Sequence, residues 1–242
     1  MSVQKKSNEI YKNLSISKKI LPTEKAGRYK WQRGKEKIIF KDITQKLNLK
    51  KNDDLLDIGC GCGPLTDIII NYCSTNNINL TLCDIAPVIK ILKKNYKKYK
   101  NLKFINQEFQ KVKINKKYNK ILCYSVIQCV DFPFNFVKKI ILFMRKEGKA
   151  LIGDIPNINK KYRFLISKFK KNYKNFNHLD SIEFKNFNKF KKTTKQNTKI
   201  DDNLVLKILS FSRKLNKSST ILKQNQSLPF SFTREDILIE EF

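Results

Sequence analysis

The sequence is poor in several residue types on which common functional sites depend. Among its 242 residues there is a single histidine, His178, and only six of the 51 basic residues are arginine. One histidine argues against a zinc site built from several imidazoles, and few arginines argue against an extensive surface for bidentate phosphate recognition. The six cysteines do not form the paired clusters of a metal site, so we expect reduced thiols and no bound metal.

Long apolar stretches are also absent. No apolar run reaches the roughly 18 residues that a membrane-spanning helix needs. The first residues, MSVQKKSNEIYKN, lack the apolar segment of a secretory signal. We therefore expect a cytoplasmic protein with no membrane partner, of a length that suits one domain with an insertion.

Positive charge is the strongest compositional bias, with a formal net charge of +30 at pH 7. A surface of this kind can bind nucleic acid. Lysine is abundant here together with Asn, Ile, Phe and Tyr, which is what AT-rich codons produce, and we give this explanation more weight. The charge is also compatible with a small acidic substrate.

The most informative stretch is LLDIGCGCGPLTDIII, at residues 55–70. An apolar run ends at Asp57, passes through Gly59, Gly61 and Gly63, and resumes over a helical length, which predicts a strand, a tight turn and a helix. Glycines let a ligand approach the backbone closely, and the amino end of a helix attracts an anionic group. The stretch therefore predicts a site for a nucleotide-like ligand.

The spacing of the glycines narrows the kind of ligand. No Gly-Lys-Ser or Gly-Lys-Thr follows, as a Walker loop requires, and Pro64 stands where a dinucleotide fingerprint has its third glycine. The pattern D-x-G-x-G-x-G resembles motif I of the class I S-adenosylmethionine (SAM) dependent methyltransferases. This resemblance implies SAM as cofactor and S-adenosylhomocysteine (SAH) as product. It also implies an α/β fold, a doubly wound seven-stranded sheet of order 3-2-1-4-5-7-6 with strand 7 antiparallel and helices on both faces.

Two later segments match positions at which that family holds the nucleoside. Asp84 ends the second predicted strand and is followed by Ile85, and the segment DIAP resembles motif II, whose acid accepts hydrogen bonds from the ribose hydroxyls. Glu108 and Phe109 follow the third strand, where the family has an acid for the adenine amino group and a neighbour beside the ring. Family members more often carry Asp at the position of Glu108. The alternatives are a helix cap for Asp84 and an exposed polar turn for Glu108.

The methyl group and the acceptor are expected near the ends of strands 4 and 5. The resemblance implies that the carbonyl of Cys123 meets the SAM amino group and that Ser125 and Gln128 lie near the methyl. Asp154 ends strand 5, at the sheet edge where ligands bind in open α/β folds, although it could simply cap its loop. His178 could remove an acceptor proton, but a lone histidine is more often structural. Gln128, Asp154 and His178 are the catalytic candidates.

The predicted organisation has three parts. Residues 1–34 are polar and basic and form an N-terminal arm or lid, in which Trp31 either anchors the arm or covers the site, with Arg28 among the cations beside it. Residues 35–242 form the methyltransferase domain. Within it, residues 157–200, rich in Lys, Asn and Phe, form an acceptor-binding insertion, here named the cap.

For the reaction we favour O-methylation of a small anionic or sugar-derived metabolite. The segment after strand 4 has neither the Asn-Pro-Pro-Tyr or Asp-Pro-Pro-Tyr sequence of enzymes that methylate base amino groups nor a Pro-Cys nucleophile. An RNA methyltransferase that uses the basic surface is the first alternative, and a SAM-binding module without turnover is the second. A nicotinamide-dependent enzyme is a weaker one.

Overall fold

The structure is a computed structural model that describes residues 2–17, 19–25, 27–28, 32–113, 115–172, 200–228 and 230–241. Trp31, His178 and most of the predicted cap lie outside the described residues. The expectations for these parts therefore stay predictions.

Seven strands form a single sheet in the order β3-β2-β1-β4-β5-β7-β6. Strand β7 pairs antiparallel with both of its neighbours, and the other neighbouring strands are parallel. This order and the antiparallel strand confirm the predicted fold. The strands are β1 Asp54–Ile58, β2 Asn79–Asp84, β3 Leu102–Asn106, β4 Tyr118–Tyr124, β5 Met144–Pro156, β6 Lys217–Leu222 and β7 Arg234–Glu241.

The described residues contain eight α-helices, several of which begin at a residue suited to that position. Pro64 starts the helix after the glycine turn, where its missing N–H costs nothing. The Asp201 side chain caps the last helix by accepting from the Leu204 N–H at 2.8 Å. The helices are α1 Val3–Ile16, α2 Pro22–Lys25, α3 Glu36–Leu47, α4 Pro64–Thr75, α5 Ala86–Asn95, α6 Pro133–Leu142, α7 Ile158–Asn172 and α8 Asp202–Lys214.

One predicted boundary is wrong. The apolar pattern predicts a helix through Met144 and a strand from Lys149, whereas α6 ends at Leu142 and β5 already begins at Met144. Met144 pairs with Tyr118 of β4, and the β4–β5 register shifts between Tyr118 and Lys120. Pairing with a distant strand thus decides a boundary that local periodicity leaves open.

Apolar side chains cover both faces of the sheet. In β1, Leu55 packs into the cluster that contains residues of α3, α4 and α5, whereas Leu56 packs into the cluster that contains residues of α6 and α8. This is the alternation expected of a strand buried on both sides. Because both faces of the sheet are covered, a ligand can bind at the edge formed by the carboxyl ends of the parallel strands.

Among the described helices, none combines the length and the apolar composition that crossing a bilayer requires.

Candidate active site

A cavity of about 1020 Å³, counting the solvent at its mouth, lies at the carboxyl ends of β1, β2 and β4. Side chains of α1 and of the segment after α2 form its other wall. Of the residues predicted to hold a cofactor, the cavity lining includes Gly59, Gly61, Asp84, Ile85, Glu108, Phe109 and Ser125. Three further residues predicted to hold the cofactor, Asp57, Gly63 and Cys123, are not part of this lining. The structure therefore brings seven of the ten predicted residues together around one cavity.

Two of the three glycines face this cavity and have backbone angles that favour glycine. Gly59 has φ +68°, and a Cβ there would lie 2.5 Å from Cγ2 of Val126. Gly61 has φ +64°, and a Cβ there would meet no atom within 4 Å. Gly63 instead has an extended backbone and caps α4. The turn therefore fits tightly at Gly59 and leaves open space for a ligand at Gly61.

Asp84 lies at the end of β2 with both carboxylate oxygens on backbone donors. Oδ2 accepts from the Gly61 N–H at 2.8 Å, and Oδ1 accepts from the Ile85 N–H at 2.7 Å. Burial raises the pKa of Asp84 to about 6, and the two N–H groups limit that rise. Each oxygen keeps a further lone pair with which it can accept a ligand hydroxyl.

Asp57 is almost fully buried at the end of β1, and its side chain is not part of the cavity lining. Burial, followed by the negative charge of Asp84, raises its pKa to about 8. Burial and the neighbouring negative charge thus both favour the neutral form of Asp57. The predicted contact of Asp57 with the cofactor stays a prediction.

Glu108 follows β3 and is held by the N-terminal helix. Its Oε2 accepts from Nε2 of Gln4 at 3.0 Å, and its Oε1 accepts from Nδ2 of Asn8 at 3.0 Å. The neighbouring Phe109 is buried, with its ring 5.4 Å from that of Phe136 in an edge-on arrangement. The carboxylate and the ring thus meet the cavity from the same short segment.

Ser125, which directly follows β4, and Asp154, which lies near the carboxyl end of β5, both have an unusual backbone conformation. Their φ angles are +60° and +59°, a left-handed region that costs a non-glycine residue about 1–3 kcal/mol. The Ser125 hydroxyl donates to Oδ2 of Asp154, and that oxygen also accepts from Nη1 of Arg234 at 2.7 Å. Strain held in this way between two strand ends is typical of functional sites.

Gln128 and Cys123 are the remaining candidates among the described residues. Gln128 donates from Nε2 to the backbone carbonyl of Ser125 at 2.8 Å, and its Oε1 is buried with no hydrogen-bond partner among the described residues. Cys123 is fully buried in the core, and its side chain is not part of the cavity lining. The expectation for Cys123 concerns its carbonyl group and stays a prediction.

Sequence reasoning missed the part of the site that α1 supplies. Gln4, Ser7, Asn8 and Tyr11 line the cavity at the spacing i, i+3, i+4, i+7 of one helix face. Ser7 and Tyr11 share this lining with Cys129 of the segment after β4, and burial raises the pKa of the Cys129 thiol. The same helical spacing is visible in the sequence. The four residues are polar, however, and helical periodicity is normally sought among apolar residues.

Arg28 is a second feature of the wall opposite the sheet. Its guanidinium lies 5.9 Å from the centre of the Tyr124 ring, a distance typical of a cation–π contact. Its Nε is buried without a hydrogen-bond partner in the described part of the chain. A buried donor of this kind is costly unless a ligand or water accepts from it.

A comparison with known families finds one match that covers most of the chain. The family profile described as "Methyltransferase domain" matches residues 49–213. These residues run from the turn before β1 to the end of α8, and they include the glycine turn, Asp84, Glu108, Ser125 and Asp154.

Curated relatives match a shorter part. The ubiquinone biosynthesis O-methyltransferase of Rickettsia canadensis (strain McKiel) is 25% identical over 126 residues, which are 51% of this chain and 52% of that protein. Ribosomal RNA small subunit methyltransferase A of Borrelia garinii subsp. bavariensis is 32% identical over 150 residues, covering 57% of this chain and 52% of the relative. The chain spans about half the length of the curated relatives it matches.

Two solved structures match over nearly the whole chain. The N-methyltransferase NodS from Bradyrhizobium japonicum WM9, in complex with SAH, has a TM-score of 0.60 and 9% identity over 97% of this chain and 98% of its own. The plantazolicin methyltransferase BpumL, also in complex with SAH, has a TM-score of 0.58 and 14% identity over 99% of both chains. At such identities the likeness shows a shared fold.

Proposed function

Since this chain belongs to the class I SAM-dependent methyltransferases, we propose that it transfers a methyl group from SAM to an oxygen of a small anionic or sugar-derived acceptor. When bound, SAM supplies a methyl carbon activated by the adjacent sulfonium. The protein then has to bind and orient the two reactants and accept a proton from the acceptor.

The cavity residues fit such a cofactor. Asp84 would accept from the ribose hydroxyls, and Glu108 would accept from the adenine amino group. The buried Nε–H of Arg28, which has no partner among the described residues, would donate to the carboxylate at the methionine end. The open space over Gly61 supports this assignment, because a ligand can approach the backbone there without a clash.

The pair Ser125 and Asp154 is the observation that carries the proposal of O-methylation. Ser125 lines the cavity, and its hydroxyl donates to Asp154. An acceptor hydroxyl could donate to Oγ of Ser125 while the Ser125 proton points at the carboxylate. As the new O–C bond forms and the S–C bond breaks, the acceptor proton would pass to Ser125 and the Ser125 proton to Asp154.

Cations beside this pair favour an anionic acceptor. The Arg234 guanidinium contacts Asp154 and lies 4.9 Å from the centre of the Phe230 ring. Burial and then the positive charge of Arg234 lower the pKa of Lys161, which begins the second turn of α7. Positive side chains on this side of the site would favour an anionic group there.

The proposal is tested by incubating the protein with SAM labelled in the methyl group and with separate pools of nucleotide sugars, phosphorylated metabolites and RNA. We expect label to enter a small acidic product, and we expect Ser125→Ala and Asp154→Asn to lower the rate about 100-fold. The exposed Arg145→Ala serves as a matched control with unchanged rate, because Arg145 pairs with Asp54 at the amino end of β1, on the opposite edge of the sheet. Label that enters only RNA would overturn the proposed acceptor class.

The RNA alternative is kept because two observations favour it. A relative that is 32% identical over 150 residues is a ribosomal RNA methyltransferase, and this chain carries a net charge of +30. A SAM-binding module without turnover has less support, since the surface beside the cavity presents the polar groups of Ser125, Asp154 and Arg234.

A further inference from the structure

We infer that Arg234 binds the acceptor through a carboxylate group, so that the acceptor is a hydroxy acid whose hydroxyl, and not its carboxylate, receives the methyl group. The inference rests on the proposed function, because it takes Ser125 to bind the acceptor hydroxyl. It names the class of acceptor and adds a specificity-determining residue outside the span that the family profile matches.

The first observation is the edge of the guanidinium that Arg234 leaves available. Its Nη1 donates to Oδ2 and to the backbone carbonyl of Asp154, at 2.7 and 3.3 Å. Within the described residues these hydrogen bonds all leave from Nη1, so that Nε and Nη2 have no protein partner there. The Nε–H and one N–H of Nη2 form a fork that matches the two oxygens of a carboxylate. The side chain is partly exposed, so a ligand can reach this edge.

The second observation is that the guanidinium is held in place before any ligand binds. A turn brings Phe230 and Arg234 together, and the backbone N–H of Arg234 donates to the carbonyl of Phe230 at 2.9 Å. The guanidinium carbon lies 4.9 Å from the centre of the Phe230 ring. With one edge on Asp154 and this contact with the ring, the group is restrained, so that less side-chain freedom is lost when an anion binds.

The third observation is that Arg234 lies close to the group that would bind the acceptor hydroxyl. The Ser125 hydroxyl and Nη1 of Arg234 both donate to Oδ2 of Asp154. Two donors on one oxygen lie at most about 6 Å apart, so a hydroxyl at Ser125 and a carboxylate at Arg234 fit one small molecule. The charge of Arg234 also reaches the cavity lining. Burial raises the pKa of the Cys129 thiol there, and Arg234 is among the interactions that limit this rise.

The local charge favours a carboxylate over a phosphate. The Arg234 guanidinium already shares its positive charge with Asp154. A bound carboxylate adds one negative charge near Asp154, whereas a phosphate monoester adds about 1.5–2 at pH 7 and is repelled more strongly.

The inference is tested with SAM labelled in the methyl group and three defined pools, namely hydroxycarboxylic acids, their methylamides and sugar phosphates. The amides keep the hydroxyls and lose the negative charge. We expect the acids to be labelled at least about 30-fold faster than the amides, as the loss of charged hydrogen bonds predicts. The labelled group should be a methyl ether, which mild alkali leaves intact, whereas a methyl ester would release its label.

Arg234→Lys separates this role from an effect on Asp154, because lysine keeps the positive charge but lacks the fork. For the acid that takes the most label, we expect KM to rise about tenfold or more and kcat to change by less than about threefold. Titration calorimetry should show unchanged SAH affinity. Arg145→Lys, at an exposed arginine that pairs with Asp54 at the amino end of β1, is the matched control.

The inference is overturned by equal labelling of acids and amides, by label in the sugar phosphates alone, or by label that mild alkali releases. A fall in kcat at unchanged KM in Arg234→Lys also contradicts it, because Arg234 would then only position Asp154. Each of these results leaves methyl transfer itself in place. If none of the pools takes label although SAH binds, the proposed O-methylation fails together with the inference.

Discussion

Asp84 is the residue whose protonation should decide how tightly the nucleoside binds. Its carboxylate accepts from two backbone N–H groups and has lone pairs left for a ligand. Burial raises its pKa to about 6, so that a small fall in pH below neutrality converts an acceptor into a neutral acid. A surface aspartate, with its pKa near 3.9, would not respond in this range.

We predict that SAH affinity falls as the pH drops below about 6, by up to about tenfold per pH unit. The sign follows because the ligand hydroxyls donate to the charged form of Asp84, which is lost as the pH falls through about 6. Titration calorimetry across pH 5–8 measures this dependence. Asp84→Asn should bind weakly with a flat profile, and a wild-type profile that is flat to pH 5 would contradict the prediction.

Gly59 and Gly61 allow a second prediction, because their substitution should have different consequences. In Gly59→Ala the new Cβ would lie 2.5 Å from Val126, so we expect a clear loss of stability. In Gly61→Ala only the left-handed backbone is strained, at about 1 kcal/mol, but the methyl group would enter the ligand space. Thermal unfolding and SAH titration should show a greater loss of stability in Gly59→Ala than in Gly61→Ala, and at least tenfold weaker binding in the latter.

At the scale of elements, the junction of β5 and β7 determines where Asp154 points. The register between these strands shifts between Ile152 and Ile155, and within this irregularity the Asp154 N–H donates to Oδ1 of Asp236 at 2.8 Å. Asp236 is fully buried and forms an ion pair with Lys46 of α3 at 2.6 Å. The buried Asp236 carboxylate thus joins three elements, α3, β5 and β7, behind the acceptor side of the site.

We predict that Asp236→Ala destabilises the protein by about 3 kcal/mol, because it removes a fully buried carboxylate and leaves the partly buried Lys46 ammonium and the Asp154 N–H without this partner. In this variant Lys46 keeps its ion pair with Asp42. The loss of unfolding free energy should therefore lie near the lower end of what removing one partner of a buried ion pair costs. Arg163→Ala removes an exposed pair with Asp202 and should cost less than about 1 kcal/mol. Equal urea midpoints for the two variants would contradict this account.

The sheet and the positions of the glycine turn and of the acid after it could largely be predicted, because their signals are local. The glycine turn, Pro64 and the acid that ends β2 lie in two short stretches, and the structure places them as expected. The contacts of α1 could not be predicted, since its inner face is polar and its partner Glu108 is about a hundred residues away. Arg234 and Asp154 are likewise brought together only by strand pairing.

At the scale of the whole molecule, the charge of +30 is the property that the site does not explain. A high lysine content produces a diffuse positive field that attracts any polyanion, without the bidentate geometry that arginine offers. If this charge reflects codon composition, RNA binding should be non-specific. If it serves an RNA substrate, binding should survive at physiological salt.

We predict that single-stranded RNA of random sequence binds at 50 mM salt and weakens steeply towards 200 mM, to a Kd of about 1 µM or above. Binding at several salt concentrations gives the slope, and addition of SAH should leave it unchanged. Nanomolar binding of one RNA at 150 mM salt, strengthened by SAH, would instead favour the RNA alternative.

The central claim is that one cavity, between the glycine turn and α1, holds the cofactor with its reactive end at Ser125. A crystal structure of the protein with SAH tests it most directly. We expect the ribose hydroxyls within hydrogen-bond distance of Asp84, the adenine amino group at Glu108 and the sulfur facing Ser125. SAH bound elsewhere, bound in the reverse direction, or absent from the cavity at saturating concentration would contradict the claim.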